Sequence, residues 1–237
     1  MQKTDKTYVK SEYGTERQIP MSGELVRKII HFCSLSIPIG YYYLSYYTML
    51  LILIPIASIA VLVDYGRFYI KWLNTFFLWL VGPILRQHER DSKKKLISGG
   101  SFVLISAVVC IVIFPKLIAI TAFAILIVSD ASSALIGRRF GKHHFLDKSL
   151  EGTLAFIVSA WIVVFITPKV SGLWQEYALA IFAAAVGGIV EAASVTLHAD
   201  DNFSVPISVG IILWLGYYLL SVVNPSVFEP VYKALVG

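Results

Sequence analysis

The chain alternates between long apolar runs and short polar segments. Apolar runs of a length that can cross a membrane lie near 29–47, 49–64, 98–115, 117–136, 151–167, 175–196 and 204–222. Because backbone hydrogen bonds in hydrocarbon must be satisfied within the protein, these runs predict helices. The pattern therefore predicts an all-α polytopic membrane protein with about seven transmembrane helices. Hydrophobic residues make up 57% of the chain, which agrees with this class.

Two further segments complete the predicted organisation. Residues 1–21 form a polar N-terminal segment, and residues 22–237 form a single transmembrane domain. The segment 67–85 is also apolar, but spanning would carry the basic residues that follow it across the membrane. Trp72 and Trp79 within it suit the headgroup boundary. We therefore expect an interfacial or re-entrant amphipathic helix at 67–85.

The basic residues predict an orientation. If residues 1–28, 65–97, 137–150 and 197–203 are cytoplasmic, seventeen of the twenty Lys and Arg residues lie on that face. Only Lys116, Lys169 and Lys233 are then outside. The N-terminus is expected in the cytoplasm and the C-terminus outside. The compact chain favours a bacterial inner-membrane protein.

Net charge and cysteine content exclude other classes of protein. The charge of +5 lies in short loops beside apolar runs, where membrane orientation and anionic headgroups explain it better than nucleic acid. Cys33 and Cys110 lie in apolar runs without metal-ligand spacing, so both are expected to be small buried hydrophobes. Nucleic acid is therefore not expected as a partner.

The segment Ser129–Gly152, SDASSALIGRRFGKHHFLDKSLEG, carries the strongest chemical signal. Asp130 lies late in an apolar run, where a carboxylate is costly and usually functional. Four cations follow, which suit a phosphate-bearing substrate, and Gly137 and Gly141 are expected to let the backbone approach a ligand closely. The cations are Arg138, Arg139, Lys142 and Lys148. Asp130 and Glu151 are expected to face each other across this segment.

Three other polar segments fall on the same predicted membrane face. They are ELVRKIIH at 24–31, RQHERDSKKKLISGG at 86–100 and EAASVTLHADDNFSVP at 191–206. In the first, Arg27 and His31 lie one helical turn apart on one face. Convergence of four segments on one wet surface indicates a functional site, although Lys93–Lys95 are explained by membrane orientation alone.

Acidic residues of the last segment offer oxygen ligands for a hard cation. Mg²⁺ usually takes one or two carboxylates together with substrate phosphates. Asp130 and an acid from 191–201 are therefore expected to share a metal ion. Glu191 has an alternative role, which is to neutralise Arg27 or Lys148 inside the bundle.

Motifs of several soluble enzyme classes are missing or imperfect. GRRFGK at 137–142 is one residue short of a P-loop, and His143 stands where that motif needs a hydroxyl. The sequence contains no GxSxG, HExxH or paired CxxC. A soluble NTPase, a serine hydrolase and a zinc enzyme are therefore not expected.

Three blocks together resemble the CTP-dependent lipid-alcohol kinases, the group of polyprenol or dolichol kinase, yeast-type diacylglycerol kinase and phytol or farnesol kinase. The blocks are ELVRKIIHF, SDASSALIGRRFGKHHF followed by KSLEGTLAF, and VEAASVTLHADDNFSVPI. They occur in the family's order and cover roughly residues 22–215.

The resemblance implies a membrane enzyme that uses Mg²⁺ to transfer the γ-phosphoryl group of CTP, or of another nucleotide such as ATP, to a lipid hydroxyl. Arg27, Lys28, Asp130 and Gly137 match positions of the family's essential residues. Lys142, Lys148 and Glu151 continue its nucleotide-side motif. The acceptor implied is a polyprenol, phytol, farnesol or diacylglycerol.

Phosphoryl transfer needs charge neutralisation and positioning more than covalent chemistry, so the residue types agree with this implication. We expect Arg138, Arg139, Lys142 and Lys148 to surround the triphosphate. Asp130 would bind Mg²⁺ or act as base to the hydroxyl. Arg27 and Lys28 would complete the set of cations around the triphosphate. Asp201 and Asn202 would complete the metal or ribose contacts.

Two alternatives stay open. The cassette is also distantly similar to the CDP-diacylglycerol synthases, cytidylyltransferases with a second Asp four residues after the first, where this chain has Ala134. An ion-coupled transporter would also hold Asp130 and Glu191 in its bundle. A transport path should place ionisable residues through the whole membrane, whereas here they cluster at one face.

Overall fold

The computed structural model describes residues 21–82, 85 and 97–236. Within them the helices are α1 (Met21–Cys33), α2 (Ser36–Tyr43), α3 (Tyr46–Gly66), α4 (Lys71–Val81), α5 (Gly99–Ile113), α6 (Lys116–Phe140), α7 (Leu150–Ile166), α8 (Trp174–Ala192), α9 (Asp201–Val223) and α10 (Pro225–Val236). Strands β1 (His144–Phe145) and β2 (Lys148–Ser149) form an antiparallel hairpin between α6 and α7. The described part of the chain is therefore an all-α bundle with one small hairpin.

Helix α6 is the centre of the bundle. It packs against α1, α2, α5, α7 and α9, and 72% of its most apolar stretch is buried inside the protein. The most apolar stretch of α3 is only 17% buried, so α3 lies at the periphery of the bundle. A peripheral helix that is apolar all round fits contact with lipid.

Four helices are long and apolar enough to cross a membrane, by length and composition: α3, α6, α8 and α9. Helices α5 and α7 are apolar but shorter. The described helices are consistent with the predicted all-α membrane protein. The total of seven crossings stays a prediction. Helix α10 lies beyond the predicted runs and packs Phe228, Val231 and Leu235 inward.

The first predicted span, 29–47, is not one continuous helix. Helix α1 ends at Cys33, α2 runs from Ser36 to Tyr43, and α3 begins within the same run. Pro38 explains the break, because its ring would clash with the carbonyl of Ser34 in an uninterrupted helix. In the first turn of α2 the missing N–H costs nothing. Together, α1 and α2 still run along α6, since Lys28 contacts Asp130 and Lys116 Nζ donates to Leu44 O at 2.9 Å.

Helices α1 and α2 run in one direction, and the long helices α3, α5, α6, α7, α8 and α9 that follow alternate in direction. At one end, Asp64 near the end of α3 accepts hydrogen bonds from Ser98 N and Ser101 Oγ at the start of α5, at 2.6 and 2.9 Å. At that same end α6 and α8 finish, and α7 and α9 begin. We call it the site end; the opposite end carries Lys116 and the α7–α8 connection.

Helix α4 agrees with the predicted interfacial segment in position. None of its side chains is buried, and Trp72 and Trp79 are 70% and 75% exposed. Its depth in a membrane stays a prediction.

One expectation about the cysteines is wrong. Cys110 is buried as expected, but Cys33 is exposed. Cys33 ends α1 on the side of that helix that no neighbour covers, beside exposed Phe32. Residues 1–20 and the predicted basic stretch at 86–96 lie outside the described residues.

Candidate active site

The site end of the bundle collects the polar segments that the sequence singles out. Helix α1 contributes an inward stripe at helical spacing: Glu24, Lys28 and His31. Helix α6 contributes Asp130 near its end. Helix α8 ends just after Glu191, and α9 begins at Asp201. Because these helices finish or begin at the same end, residues more than a hundred positions apart meet there.

Three carboxylates form the centre of this site. Asp130, Glu191 and Asp201 each offer an oxygen atom, and the three atoms lie within 4.8 Å of one another. All three residues are buried. Buried carboxylates at this spacing repel one another strongly unless cations neutralise them. We call this group the carboxylate cluster.

Two lysines supply that neutralisation. Lys28 Nζ donates to Asp130 Oδ2 at 2.5 Å, and its side chain is only 3% exposed. Lys148 Nζ bridges the other two acids: it contacts Glu191 Oε1 and lies 3.1 Å from Asp201 Oδ2. Two ammonium groups therefore face three carboxylates, so the carboxylate cluster and its two lysines have a formal charge of −1 when all are ionised.

The carboxylate cluster favours the charged form of Lys148. Burial disfavours the charged form of this side chain. The carboxylates of Glu191 and Asp201 outweigh burial and raise the pKa of Lys148 above its usual value. The ammonium group therefore stays protonated at neutral pH.

The hairpin delivers Lys148 to the cluster. Asp147, in its two-residue turn, accepts hydrogen bonds from Thr196 N and Thr196 Oγ1 at 2.7 and 2.8 Å, and its own N–H donates to Ala192 O. These bonds tie the hairpin to the connection between α8 and α9. Leu146 beside it has a φ of 51°, a left-handed conformation that is costly for leucine. The tight turn is thus held by its contacts.

Neighbouring polar side chains orient the acids. Ser133, one turn after Asp130 on α6, donates to Glu191 Oε1 at 3.1 Å. Asn202 Nδ2 donates to Asp200 Oδ1 at 2.9 Å and to Asp201 Oδ1 at 3.4 Å. Asn202 thus steadies Asp201, and its role as a metal ligand stays a prediction.

Two buried polar atoms at the cluster have no hydrogen-bond partner among the described residues. One is Oε2 of Glu191, whose side chain is 1% exposed. The other is Nε2 of His31, which lies 3.4 Å from Asp130 Oδ2 on a side chain that is 9% exposed. Unsatisfied buried polar atoms are costly, so their concentration here indicates a place for a ligand.

The arginines form a second layer of charge nearer the chain's loops. Glu24 accepts from Arg27 at 3.2 Å and from Arg138 at 3.4 Å, which joins α1 to the last turn of α6. Arg27 therefore reaches Glu24 and is not paired with a member of the carboxylate cluster. Arg139 and Lys142 are exposed at the end of α6 and in the loop after it.

The two glycines lie against the protein itself, and close approach of a ligand to them stays a prediction. Their missing Cβ atoms make room for neighbouring protein atoms. A Cβ at Gly137 would lie 2.9 Å from Ser149 Oγ, and one at Gly141 would lie 2.3 Å from Gly137 O and 2.8 Å from Ser149 Cβ. The glycines therefore let the end of α6 pack directly on the hairpin and on Gly152 of α7.

Glu151 also lies elsewhere than expected. It does not face Asp130: its carboxylate accepts from the N–H groups of Lys142 and His143, at 3.0 and 3.3 Å, and contacts His143 Nδ1 at 2.7 Å. A carboxylate in the first turn of α7 is favourably placed to accept such bonds. Glu151 thus holds the loop after α6, and direct contact with a nucleotide stays a prediction.

Sequence reasoning missed several contributors to this end of the bundle. His31 was recognised only as a neighbour of Arg27, and Ser133, Asp147 and Thr196 carried no signal beyond their polarity. Asp64 and Arg67 form a buried ion pair at 2.9 Å near the end of α3, with the guanidinium stacked on Phe68 and Phe77. A helical spacing test from Asp130 to position 133 would have found Ser133.

Comparison with known proteins gives partial similarities. The chain is 29% identical to a protein of Rickettsia prowazekii (strain Madrid E) that is described as uncharacterized, over 78% of this chain and 90% of that protein. It is 30% identical to a phytol kinase of Synechocystis, over 38% of this chain and 40% of that enzyme. No known family profile and no solved structure matches the chain. The similarity to a lipid kinase is therefore distant and covers less than half of either protein.

Proposed function

We propose that this protein is a lipid-alcohol kinase that transfers the γ-phosphoryl group of CTP, or of another nucleoside triphosphate, to the hydroxyl of a membrane lipid. The observation that carries this proposal is the buried carboxylate cluster with its two lysines, at the end of an apolar bundle. The partial similarity to a phytol kinase supports the same class of reaction. The acceptor would be a polyprenol, phytol, farnesol or diacylglycerol.

The residues present fit a magnesium ion. Asp130, Glu191 and Asp201 offer only oxygen atoms, the ligands that Mg²⁺ prefers, and Glu191 Oε2 has no hydrogen-bond partner among the described residues. When bound, Mg²⁺ would neutralise the phosphates and orient them for transfer. Glu191 and Asp201 would hold it and leave Asp130 as the base, and Asn202 would support Asp201.

The cations of the site end would bind the triphosphate. Lys148 already lies at the cluster, and Arg138 is in the last turn of α6. Arg139 and Lys142 are exposed beside them and would reach a nucleotide arriving from water. Arg27 and Lys28 of α1 would complete the set of cations around the triphosphate. Charge-assisted hydrogen bonds from these side chains suit phosphate oxygens.

In the proposed reaction the lipid hydroxyl oxygen attacks the γ-phosphorus. The new phosphorus–oxygen bond forms as the bond from the γ-phosphorus to the bridging oxygen breaks. Asp130 accepts the hydroxyl proton, and the nucleoside diphosphate leaves with the bridging oxygen. The lipid tail stays among the apolar helix faces, which explains why such an enzyme is built inside a membrane.

The proposal includes an orientation and a location. The alternating helix directions support seven crossings, with α1 and α2 together making the first. The site end would face the cytoplasm, where nucleotides are, and the C-terminus would lie outside a bacterial inner membrane. Reporter fusions at the C-terminus that are active only outside the cytoplasm test this topology.

A phosphoryl-transfer assay on detergent-purified protein tests the function. It uses γ-labelled CTP or ATP, Mg²⁺, and a panel of phytol, farnesol, polyprenol and diacylglycerol. We expect label in a lipid monophosphate with the unchanged protein and at least a hundredfold less with Asp130→Asn. Unchanged turnover in that variant contradicts the assignment of Asp130. Pyrophosphate and a CDP-lipid from phosphatidate and CTP would instead identify a cytidylyltransferase.

A further inference from the structure

The polar residues of α1 and α6 are arranged in order along the two helices. Since α1 and α2 run antiparallel to α6, Glu24 lies beside Arg138, Lys28 lies beside Asp130, and Leu44 lies beside Lys116 at the far end. The charged layer of Glu24 and Arg138 is therefore nearest to the loops, and the helices beyond Asp130 are apolar.

His31 is the polar residue of α1 that lies beyond Lys28, on the side away from the charged layer, where the helices are apolar. It follows Lys28 by three residues, which places it about 4.5 Å further along the helix, away from Glu24 and Arg138. In α6 the inward residues on that side of Asp130 are mostly apolar, among them Leu126 and Ile127. His31 thus marks the boundary between the carboxylate cluster and the hydrocarbon part of the bundle.

The imidazole of His31 is poised for a ligand. Its Nε2 atom lies 3.4 Å from Asp130 Oδ2 and forms no hydrogen bond within the described part of the chain, although the side chain is only 9% exposed. That separation is short enough for one oxygen atom to contact both groups. An oxygen there would accept a hydrogen bond from Nε2–H and donate its own proton to Asp130.

The outer face of α1 suits contact with lipid chains beside the site end. Leu25, Val26, Ile29, Ile30 and Phe32 are between 46% and 57% exposed. A helix with polar residues inward and apolar residues outward has the pattern of a helix at the edge of a membrane bundle. A lipid tail along this face lies at the depth of His31, and its hydroxyl would pass around the edge of α1 to meet the inward imidazole.

We propose that His31 positions the hydroxyl of the lipid substrate, with Nε2 donating to the hydroxyl oxygen so that its proton points at Asp130. This inference rests on the proposed function and deepens it, because it assigns the acceptor side of the site. The triphosphate approaches from the Arg138 side and the alcohol from the His31 side. The two substrates thus meet at Asp130 from opposite directions.

The test compares binding of an alcohol with binding of its deoxy analogue, which lacks the oxygen atom that would accept the bond from His31. A photoreactive phytol analogue and the same molecule with the hydroxyl replaced by hydrogen are cross-linked to the purified protein in the absence of nucleotide. We expect the unchanged protein to prefer the alcohol by about fivefold, the worth of one hydrogen bond. His31→Leu should lose this preference. His31→Gln, whose amide nitrogen replaces Nε2, should retain most of it.

Steady-state kinetics with phytol and CTP give a second readout. His31→Leu should raise KM for the alcohol while leaving KM for the nucleotide unchanged, and His31→Gln should restore KM. His144→Leu is the matched control, because His144 is exposed on β1. It should behave as the unchanged protein in both experiments.

The outcomes separate the two proposals. Equal preference for the alcohol in His31→Leu and in the unchanged protein overturns the role of His31, even if phosphoryl transfer is observed. Loss of preference in His31→Gln as complete as in His31→Leu overturns it as well. Selective alcohol binding through His31 without any phosphoryl transfer would support the binding site and contradict the kinase.

Discussion

Lys28 Nζ lies 2.5 Å from Asp130 Oδ2, although the two residues are 102 positions apart in the chain. Both side chains are at least nine-tenths buried, so each charge depends on the other for compensation. This ion pair fastens α1 to α6 at the depth where the carboxylate cluster begins. It is both a structural contact and part of the proposed catalytic site.

Removing one partner of this pair should cost more stability than removing both charges. Lys28→Met leaves Asp130 buried without its nearest cation, which costs about 3–5 kcal/mol. The double variant Lys28→Met with Asp130→Asn removes both charges and should regain most of that loss. Thermal unfolding in detergent micelles measures the difference. If the double variant is less stable than Lys28→Met, the pair does not compensate as described.

Lys148 should compete with divalent cations for the carboxylate cluster. It bridges Glu191 and Asp201, and its raised pKa means that it does not leave by deprotonation near neutral pH. Lys148→Met should therefore unfold at a lower temperature without metal and gain more from Mn²⁺ or Mg²⁺ than the unchanged protein does. The assay contains no nucleotide, so it does not depend on activity.

Lys142→Met is the matched control for that experiment, because Lys142 is exposed and is not among the cluster's ion pairs. It should leave metal-induced stabilisation unchanged. Equal stabilisation by metal in Lys148→Met and the unchanged protein would show that the lysine does not occupy the cation's place.

Gly141→Ala should destabilise the protein through the hairpin. The new Cβ would lie 2.3 Å from Gly137 O and 2.8 Å from Ser149 Cβ, so the backbone must move at a cost of about 1–3 kcal/mol. Gly40→Ala in α2 is the control, since no atom beyond its chain neighbours and its own helix backbone lies within 4 Å of a Cβ there, and alanine favours a helix by about 0.5–1 kcal/mol. Chemical or thermal unfolding of both variants checks the contrast, which fails if Gly141→Ala is neutral.

Glu176 should matter for stability and not for phosphoryl transfer. It lies at the end opposite the site and accepts hydrogen bonds from the N–H groups of Val170, Ser171 and Leu173 and from Tyr217 OH at 2.8 Å. Glu176→Gln places an amide nitrogen among these donors and should cost at least about 2 kcal/mol.

Tyr217→Phe removes one of those bonds and should cost about 1 kcal/mol, which gives a graded comparison. Activity per folded molecule should be unchanged in both variants. A selective loss of turnover, with unfolding temperature unaffected, would assign Glu176 to the reaction instead.

The fold was predictable where apolar runs are long and uninterrupted. The runs that became α3, α6, α8 and α9 have helices near the expected bounds. The break between α1 and α2 depends on Pro38. The mean hydropathy of the whole run does not reveal the effect of one proline on a single helical turn. Helix α10 lies beyond the predicted apolar runs, and Pro225 begins it at a position where the missing N–H costs nothing.

The residue types of the candidate site were also predictable, and Lys148 was one of the two cations expected beside Glu191. The other partners were not predicted. An acid in an apolar run, such as Asp130 or Glu191, stands out in the sequence because its burial is expensive. Which lysine neutralises which acid depends on helix packing and on the hairpin turn. Neither can be inferred from the spacing of residues along the sequence. The same limit explains Glu151, whose partners are backbone N–H groups that have no sequence signature.

The contact between α1 and α6 also affects the order in which parts of the protein assemble during synthesis. Lys28 leaves the ribosome 102 residues before Asp130, a delay of about 5–20 s at ordinary rates of elongation. During that interval the ammonium group of Lys28 lacks the carboxylate that it contacts in the folded protein, and we expect it to stay at the membrane surface among lipid headgroups. We therefore expect α1 to reach its final position only when α6 arrives, which would make the site end one of the last parts to assemble.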